Sequence, residues 1–529
     1  MSSFEFSFGP SGGPKREAEL FHLGVLADLS GQPQDPLPGV ASRKFVEFDI
    51  DNFDDRMAAI SPRLAFKVPN SVVGAGELDV ALKFTCLDDF GPGPVTAQVG
   101  VLRKLWTARQ QLARMRSKPE GQELQGKPRL EALLSKVLDD PALVKAVLPS
   151  AGEPEPSMAE EDKRNKHDVS RGGDTPPTAP AAPADGASEL DALLGMKPGD
   201  RPARPPASPI QQIVEQAMEG TARISDHAIQ TLGALVDRLD EVYGAQLTLI
   251  LHHPAFQALE GTWRGLNYLV TNVEMDESLK IRVLNVSKQD LTATLLRYPA
   301  DENPLRLMMR HEPYGCLLGD YCFDHRTSDV AVLGGIASVA AGVDVPFVAA
   351  ALPSLLGLAA WRDLRVTKEL PSVLKGDAHA AWRDLGGSAL SRHLFLTMPR
   401  FLARLPYGRK TNPPDGVEYE EPYEIDSPAH FTWSNAAYGL GVVVARAFSL
   451  EGWDARIAAG GEDCMIESLP VLTYKDRYGD TEMMCPTEVS FTVEAAVTLS
   501  ACGLTPLLHM KNSDRALFAY APSLSKPRK

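Results

Sequence analysis

The sequence predicts an α+β protein with mixed sheets. Three observations carry this. Period-two and period-3.6 hydrophobic patterns follow one another without the strict βα order of a single doubly wound sheet. The 529 residues are 44% apolar and 7% aromatic, sufficient for real cores and for roughly two to four domains. A break rich in Pro and charge at 149–209 separates two blocks that pattern independently.

In the first block, LFHLGVLAD at 20–28 reads as a buried strand closed by the turn residues of LSGQPQDPLPG. Asp51–Asp55 start a short helix carrying Met57 and Ile60, which Pro62 stops. From Leu78 to Thr85, Leu78, Val80, Leu82 and Phe84 alternate with Asp79, Ala81, Lys83 and Thr85, the pattern of a half-buried strand. One amphipathic helix is predicted over 94–116 from Val95, Val99, Leu102, Leu105, Trp106 and Leu112, and another over about 128–147. The stretch 149–187 lacks aromatics, and its Pro and Ala predict an extended tether that lets the two blocks meet within one molecule or reach neighbours.

After the tether, Leu190, Leu193 and Leu194 in SELDALLGM (188–196) make one helical stripe too short to be stable alone. It fits equally a docking peptide for a partner's groove and a helix lying on its own domain. Long helices follow over 208–251 and 254–271, then a strand in which Leu279, Ile281 and Val283 alternate with Lys280 and Arg282. Ser287 with Asp290 predicts a weakened capping box for the next helix. The apolar layer 330–360 precedes a helix at 435–453, a strand at 488–493, a helix at 494–502 ending at Gly503, and a final strand from Leu504 to Met510.

Composition excludes several classes. A net charge of −15 argues against a nucleic-acid backbone or an anionic membrane as a general partner. The six cysteines form no C-x-x-C pair; Cys86, Cys316 and Cys502 are expected to be buried reduced thiols, which suits a cytoplasmic location. Residues 1–19 are expected to be a flexible arm, and they lack the basic start and apolar core of a signal peptide. Asp344, Pro346 and Pro353 interrupt the layer at 330–360, so a buried sheet-and-helix layer is expected there in place of a membrane span.

No catalytic residue, cofactor site or metal site is predicted. His252 and His253 lack a third ligand at zinc spacing, and a packed or capping role suits them better. Asp324-His325 and His311-Glu312 are isolated pairs, and the glycine pairs at 334–335, 386–387 and 460–461 sit in no phosphate-binding motif. Arg400, Arg404 and Arg409 surround Tyr407 in PRFLARLPYGRK. Basic and aromatic residues so mixed can bind RNA, yet pairing with Glu418, Glu420, Glu421, Glu424 or Asp426 fits at least as well.

Longer phrases carry more. GVLADLSGQP, RKFVEFDIDNFDDRMAAISPRLAFKVPN and LRKLWTARQQLARM resemble the small subunit of the contractile sheath of type VI secretion. LTLILHHPAFQALEGTWRGLNYLV, LKIRVLNVSKQDL, MPRFLARLPYGRKTNP, FTWSNAAYGLG and GLTPLLHMKNSDRALFAYAPSLSKP resemble the large subunit. The organisation expected is a flexible arm at 1–19, a small-subunit-like domain at 20–148, a linker at 149–209, a helical region at 210–272 and a large-subunit-like α+β body at 273–529.

The resemblance implies a contractile-sheath-like fold and no enzyme. Its implied partners are sheath subunits, the inner tube ring protein, baseplate components and a ClpV-like AAA+ disassembly ATPase, with no nucleic acid and no membrane insertion. Leu190, Leu193 and Leu194 fall where such large subunits offer their ATPase a helix, and Trp263, Arg264, Arg400, Arg404 and Tyr407 are the expected structural or interface residues. Large subunits of this family continue past the segment matching SLSKP with a tube-facing domain. The expectation is therefore a fusion lacking that domain, which forms no long tubes alone. A non-contractile capping or accessory protein is the alternative, and a cytoplasmic enzyme on this fold a distant one.

Overall fold

The computed structural model describes residues 5–7, 20–116, 226–364, 370–458, 460–520 and 522–524. The first block supplies β1 (Glu5–Ser7), β2 (Phe21–Ala27), β3 (Val46–Phe48), α1 (Phe53–Ile60), the hairpin β4 (Arg63–Pro69) and β5 (Glu77–Lys83), α2 (Pro92–Gln98) and α3 (Gly100–Arg116). The second begins with α4 (Asp226–Leu251), α5 (Pro254–Thr271), β6 (Leu279–Asn285), α6 (Lys288–Arg297) and α7 (Pro304–Met309). It continues through β7 (Tyr314–Phe323), α8 (Thr327–Val343), β8 (Phe347–Ala351), α9 (Leu370–Val373), α10 (Ala380–Gly387) and β9 (Leu394–Met398). Last come β10 (Phe401–Leu402), β11 (Trp433–Ser434), α11 (Ala436–Glu451), β12 (Arg456–Ala458), β13 (Met465–Ile466), β14 (Thr473–Lys475), β15 (Thr481–Met483), α12 (Val493–Ala501), β16 (Leu504–His509) and β17 (Ala516–Phe518).

Nine strands form the central sheet in the order β13-β17-β16-β9-β8-β7-β2-β6-β3. The six from β16 to β6 run parallel, and antiparallel strands finish both edges. All seven residues of β2 and all five of β8 and β9 are buried, as expected for parallel strands covered on both faces. One face is filled by Leu333, Ile336 and Ala340 of α8, Trp382 of α10 and Leu499 of α12. Helices α11 and α5 pack together on the other side, and α11 lies against β7, β8 and β9. The expected mixed-sheet α+β architecture is present, with its parallel strands gathered at the centre.

Residues 1–107 and 240–529 pack as one unit, and 108–239 as a second. In the second, the described parts are the end of α3 and the start of α4, where Leu112, Leu235, Val236 and Leu239 are buried. The expected elements at 128–147, 188–196 and 208–225 lie outside the described residues. No helix among the described residues is long and apolar enough to cross a membrane.

Local chemistry explains most boundaries. Helix α1 ends at Ser61, which turns left-handed just before Pro62. Pro254 opens α5 at a position where its missing N–H costs nothing, and His253 Nδ1 accepts from Ala255 N at 3.2 Å. Ser287 Oγ caps α6 by accepting from Asp290 N at 3.0 Å. The reciprocal half of that box is replaced, because the Asp290 carboxylate accepts from Arg43 Nη2 at 2.7 Å.

Four expectations need correction. The helix predicted over 94–116 is two helices: Val99 leaves helical geometry (ψ 110°) and Gly100, a weak helix former, follows. Residues 488–493 form no strand; Glu488 N donates to Arg400 O, and Thr492 Oγ1 then caps α12. The strand from Leu504 is not the last, since β17 pairs beside it. Cys316 is fully buried, but Cys86 and Cys502 are half-buried, each at the end of a helical turn; none of the six cysteines is in a disulfide.

Candidate functional site

The seam between the two blocks is the most constructed part of the molecule. Strand β2 has no first-block neighbour in the sheet. It pairs in parallel with β6 from Phe21↔Leu279 to Ala27↔Asn285, and with β7 from Leu23↔Cys316 to Leu26↔Gly319. A run of seven residues without a polar face can be satisfied only in such a central position. Close approach requires missing side chains: a Cβ on Gly24 would meet Leu317 Cδ1 at 2.8 Å, and one on Gly315 would collide with the Phe21 ring.

Polar groups lock the edges of this seam. Leu29 N donates to Asn285 Oδ1 at 3.0 Å, and Asn285 Nδ2 donates to Ser30 Oγ at 2.6 Å. Arg43 donates to Asn285 O at 2.9 Å besides its bond to Asp290. Trp263 Nε1 reaches back to Leu29 O at 3.1 Å, and its indole sits against Phe48 and Phe53. Gln246, buried on α4, accepts from Ser71 N at 2.8 Å and Ser71 Oγ at 3.0 Å while donating to Pro69 O at 3.1 Å. One face of α5 meets the hairpin side, where His253 stacks on Phe66 at 4.0 Å and Phe256 packs on Phe84 and Phe90.

A buried ionic lattice lies on the same helix. Arg404 donates to Glu260 Oε1 at 2.7 Å and to both oxygens of Glu421 at 2.7 and 3.2 Å. Arg404 and both acids are 4% exposed or less. Arg264, one turn after Glu260, donates to the same oxygen at 2.8 Å and to Tyr407 Oη at 3.1 Å. Thr432 Oγ1 donates to Glu260 Oε2 at 3.2 Å, Tyr407 N to Glu421 Oε2 at 2.8 Å, and His252 Nε2 lies 3.0 Å from Glu421 Oε1. The Arg404 guanidinium also covers the Tyr407 ring at 4.2 Å.

Electrostatics follow from this geometry. Burial opposes the charge on Arg404, yet Glu260 and Glu421 outweigh it and hold the guanidinium well above its ordinary value. Burial likewise pushes the Glu421 carboxyl up, but Arg404, His252 and the Tyr407 N–H together hold it at about 2. Each charge in this lattice is paired, which offsets the cost of burying it.

Of the residues singled out from sequence, Trp263, Arg264, Arg404 and Tyr407 are brought to the seam and this lattice. Arg400 is apart from them, in a bidentate pair with Glu488 at 2.9 and 2.9 Å. Arg409 contributes its backbone N–H to Glu420 Oε1 at 3.0 Å. Leu190, Leu193 and Leu194 lie outside the described residues. Glu260 and Gln246 were not anticipated. The signal for Glu260 was a carboxylate four residues before Arg264 on a helix stripe that is otherwise apolar. Among the described residues no three metal-ligating side chains converge, and burial raises the Cys322 thiol to about 11, far from a nucleophile's range.

Two family profiles divide the chain where its two blocks divide. The EvpB-type VipB tail sheath N-terminal domain matches residues 233–305 and 307–525. The VipA family of the type VI secretion system matches residues 9–152. Over 357 residues the chain is 40% identical to the type VI secretion system sheath protein TssC1 of Pseudomonas aeruginosa, covering 64% of this chain and 71% of that protein. Over 143 residues it is 43% identical to the sheath protein TssB1 of the same organism, covering 27% of this chain and 80% of that protein. Strand β2 falls within the VipA match, and β6 and β7, which flank it, within the VipB match.

Proposed function

The chain belongs to the type VI secretion sheath families, with a VipA-type and a VipB-type segment in one polypeptide, and from this premise we propose that it is a building block of a contractile sheath. It is a structural component that pairs the small- and large-subunit modules at a fixed ratio of one to one. The observation that carries this reading is β2, which completes a sheet whose other central strands all come from the VipB-type segment. Its role is mechanical, by self-association and packing, with no catalytic step. The proposed setting is the cytoplasm, with copies of the chain arranged around an inner tube ring protein and attached to baseplate components.

Imaging a fluorescently tagged full-length chain in its host tests this. Elongated structures that depend on the tube protein are expected; diffuse signal under all conditions would overturn the reading. We further assign SELDALLG as the docking helix for a ClpV-like AAA+ ATPase, on the apolar stripe of Leu190, Leu193 and Leu194. Leu193→Asp is expected to abolish ATPase capture without changing the melting temperature, and unchanged capture would return the segment to internal packing.

A further inference from the structure

We propose that a cleft over the carboxyl ends of the central strands binds a short segment of a partner protein, taking a large apolar side chain in one cavity and a nearby lysine or arginine in the next. The inference goes beyond the sheath reading and does not depend on it. In open α/β sheets, ligands bind outside the carboxyl ends of the parallel strands. A cavity of about 240 Å³ lies there, lined by Cys322 near the end of β7, Ala350 and Ala351 of β8, and Thr397 and Met398 of β9. Small side chains make the room, since Ala360 and Ala436 line it as well, and Trp361 forms one wall. An apolar cavity of about 150 Å³ already holds a benzene ring, so this one has space for a leucine or phenylalanine side chain.

Glu488 lines this cavity and a second one beside it. Glu488 N donates to Arg400 O at 2.9 Å, and the Arg400 guanidinium donates back through Nε and Nη2 at 2.9 and 2.9 Å. Arg400 Nη1, without a partner among the described residues, is left for a backbone carbonyl of the incoming segment. The second cavity, about 630 Å³, has Trp433, Tyr474 and Met483 in its wall, a surface that suits the methylene stem and charged head of a basic side chain. Its charge is one-sided: among the described lining residues, Asp363, Asp426 and Glu488 stand against Arg362 alone. Arg362 Nη1 is itself engaged by the Asp426 backbone carbonyl at 2.7 Å. Partial burial, then Glu482, Asp426 and Asp476, raise the Tyr474 phenol, whose Oη donates to Glu482 Oε2 at 3.1 Å. The mouth of this cavity is therefore negative, and a positive group beside an apolar anchor complements the pair of cavities. Anionic ligands are repelled.

Short fluorescein-labelled peptides in a Gly/Ser background test this on the full-length chain by fluorescence anisotropy. Each carries one Leu or Phe with an Arg within the next three positions. Matched controls replace the Arg by Glu, or the apolar residue by Gly. The best basic peptide is expected to bind with a Kd below about 1 mM, and at least about tenfold tighter than either control. Asp426→Lys, at an exposed position, should abolish the preference for Arg over Glu. Ala360→Leu, which narrows the apolar cavity, should weaken the best peptide by about tenfold. Thermal melts confirm that each variant is folded. Absence of binding at that concentration, equal binding of Arg and Glu peptides, or unchanged binding by either folded variant would overturn the proposal. So would a dimer of the chain without peptide that Asp426→Lys dissociates, since the occupant would then be a second copy.

Discussion

The ring of Phe21 occupies the space where Gly315 has no side chain. The first residue of β2 thereby fits the second residue of β7, and the same ring packs on Phe448 at 4.4 Å and Trp453 at 5.2 Å. This knob couples the two family segments by shape, without any charge.

Gly315→Val is therefore expected to destabilise the unit by at least about 1–3 kcal/mol, the usual range for overpacking a filled core. Urea unfolding of the full chain measures it. Gly39→Ala is the control, since an added Cβ there meets nothing within 4 Å, and its change should stay within about 0.5 kcal/mol. Equal midpoints for the two variants would show that the fit is loose.

Gln246→Leu keeps the volume of a buried side chain but strips Ser71 N and Pro69 O of their partner. The expected loss is about 1–3 kcal/mol, set by the groups left buried and unbonded. Protease cleavage within 62–84 should rise in parallel, because Gln246 ties down the turn of that hairpin. Unchanged unfolding and cleavage would mean the turn is held by its own residues.

Arg404→Met leaves Glu260 and Glu421 buried without their shared cation, and about 3–5 kcal/mol of destabilisation is expected. Adding Glu260→Gln and Glu421→Gln removes both buried carboxylate charges, while Arg264 loses the charge of its partner Glu260, and should recover part of that loss. Thermal unfolding of the single and triple variants decides the matter. A triple variant weaker than the single one would show that the lattice contributes more than neutral packing does.

Two acid-sensitive windows follow from the seam and the lattice. Burial, with Arg282 adding to it, lowers His22 from 6.5 to about 4, while Glu312 at 3.3 Å and Glu47 pull it up and Lys280 pulls it down. In the unfolded chain His22 binds its proton more readily, so its contribution is complete above about pH 6.5 and is lost as pH falls toward 4. Glu421, held at about 2 against 4.5, contributes fully above 4.5 and loses that contribution as pH falls toward 2. His22→Phe should flatten the stability profile only in the upper window, and Glu421→Gln only in the lower one. Profiles that keep both slopes would assign acid sensitivity elsewhere.

Much of this was legible from local pattern. Pro254 and the apolar spacing from Phe256 to Val270 mark α5 to the residue, and the alternation from Leu78 to Leu82 marks β5. The composition of PRFLARLPYGRK fitted arginine–carboxylate pairing at least as well as RNA binding, and Glu421 lay in the acidic run considered for the pairing. Less visible was which strands flank β2, because an all-buried strand carries no face to orient it and its register partners, from Leu279 opposite Phe21 to Asn285 opposite Ala27, lie in the other block. Glu260 was only half visible: Arg264 lies one turn away on the same helix, but Arg404 and Thr432, which complete its burial, come from far along the chain. Val99 broke a helix through dihedral choice inside an otherwise continuous apolar stripe.

The insertion of β2 also has a consequence for synthesis on the ribosome. Leu29 is made 256 residues before Asn285, its hydrogen-bond partner beside the sheet. At about 5–20 residues per second, translation leaves that apolar strand without its neighbours for roughly 13–50 s. When the two modules are separate polypeptides, each can be completed before they meet; here the nascent chain must carry an exposed hydrophobic segment through about half of its own elongation. Its yield should therefore depend on translation speed and on holding chaperones.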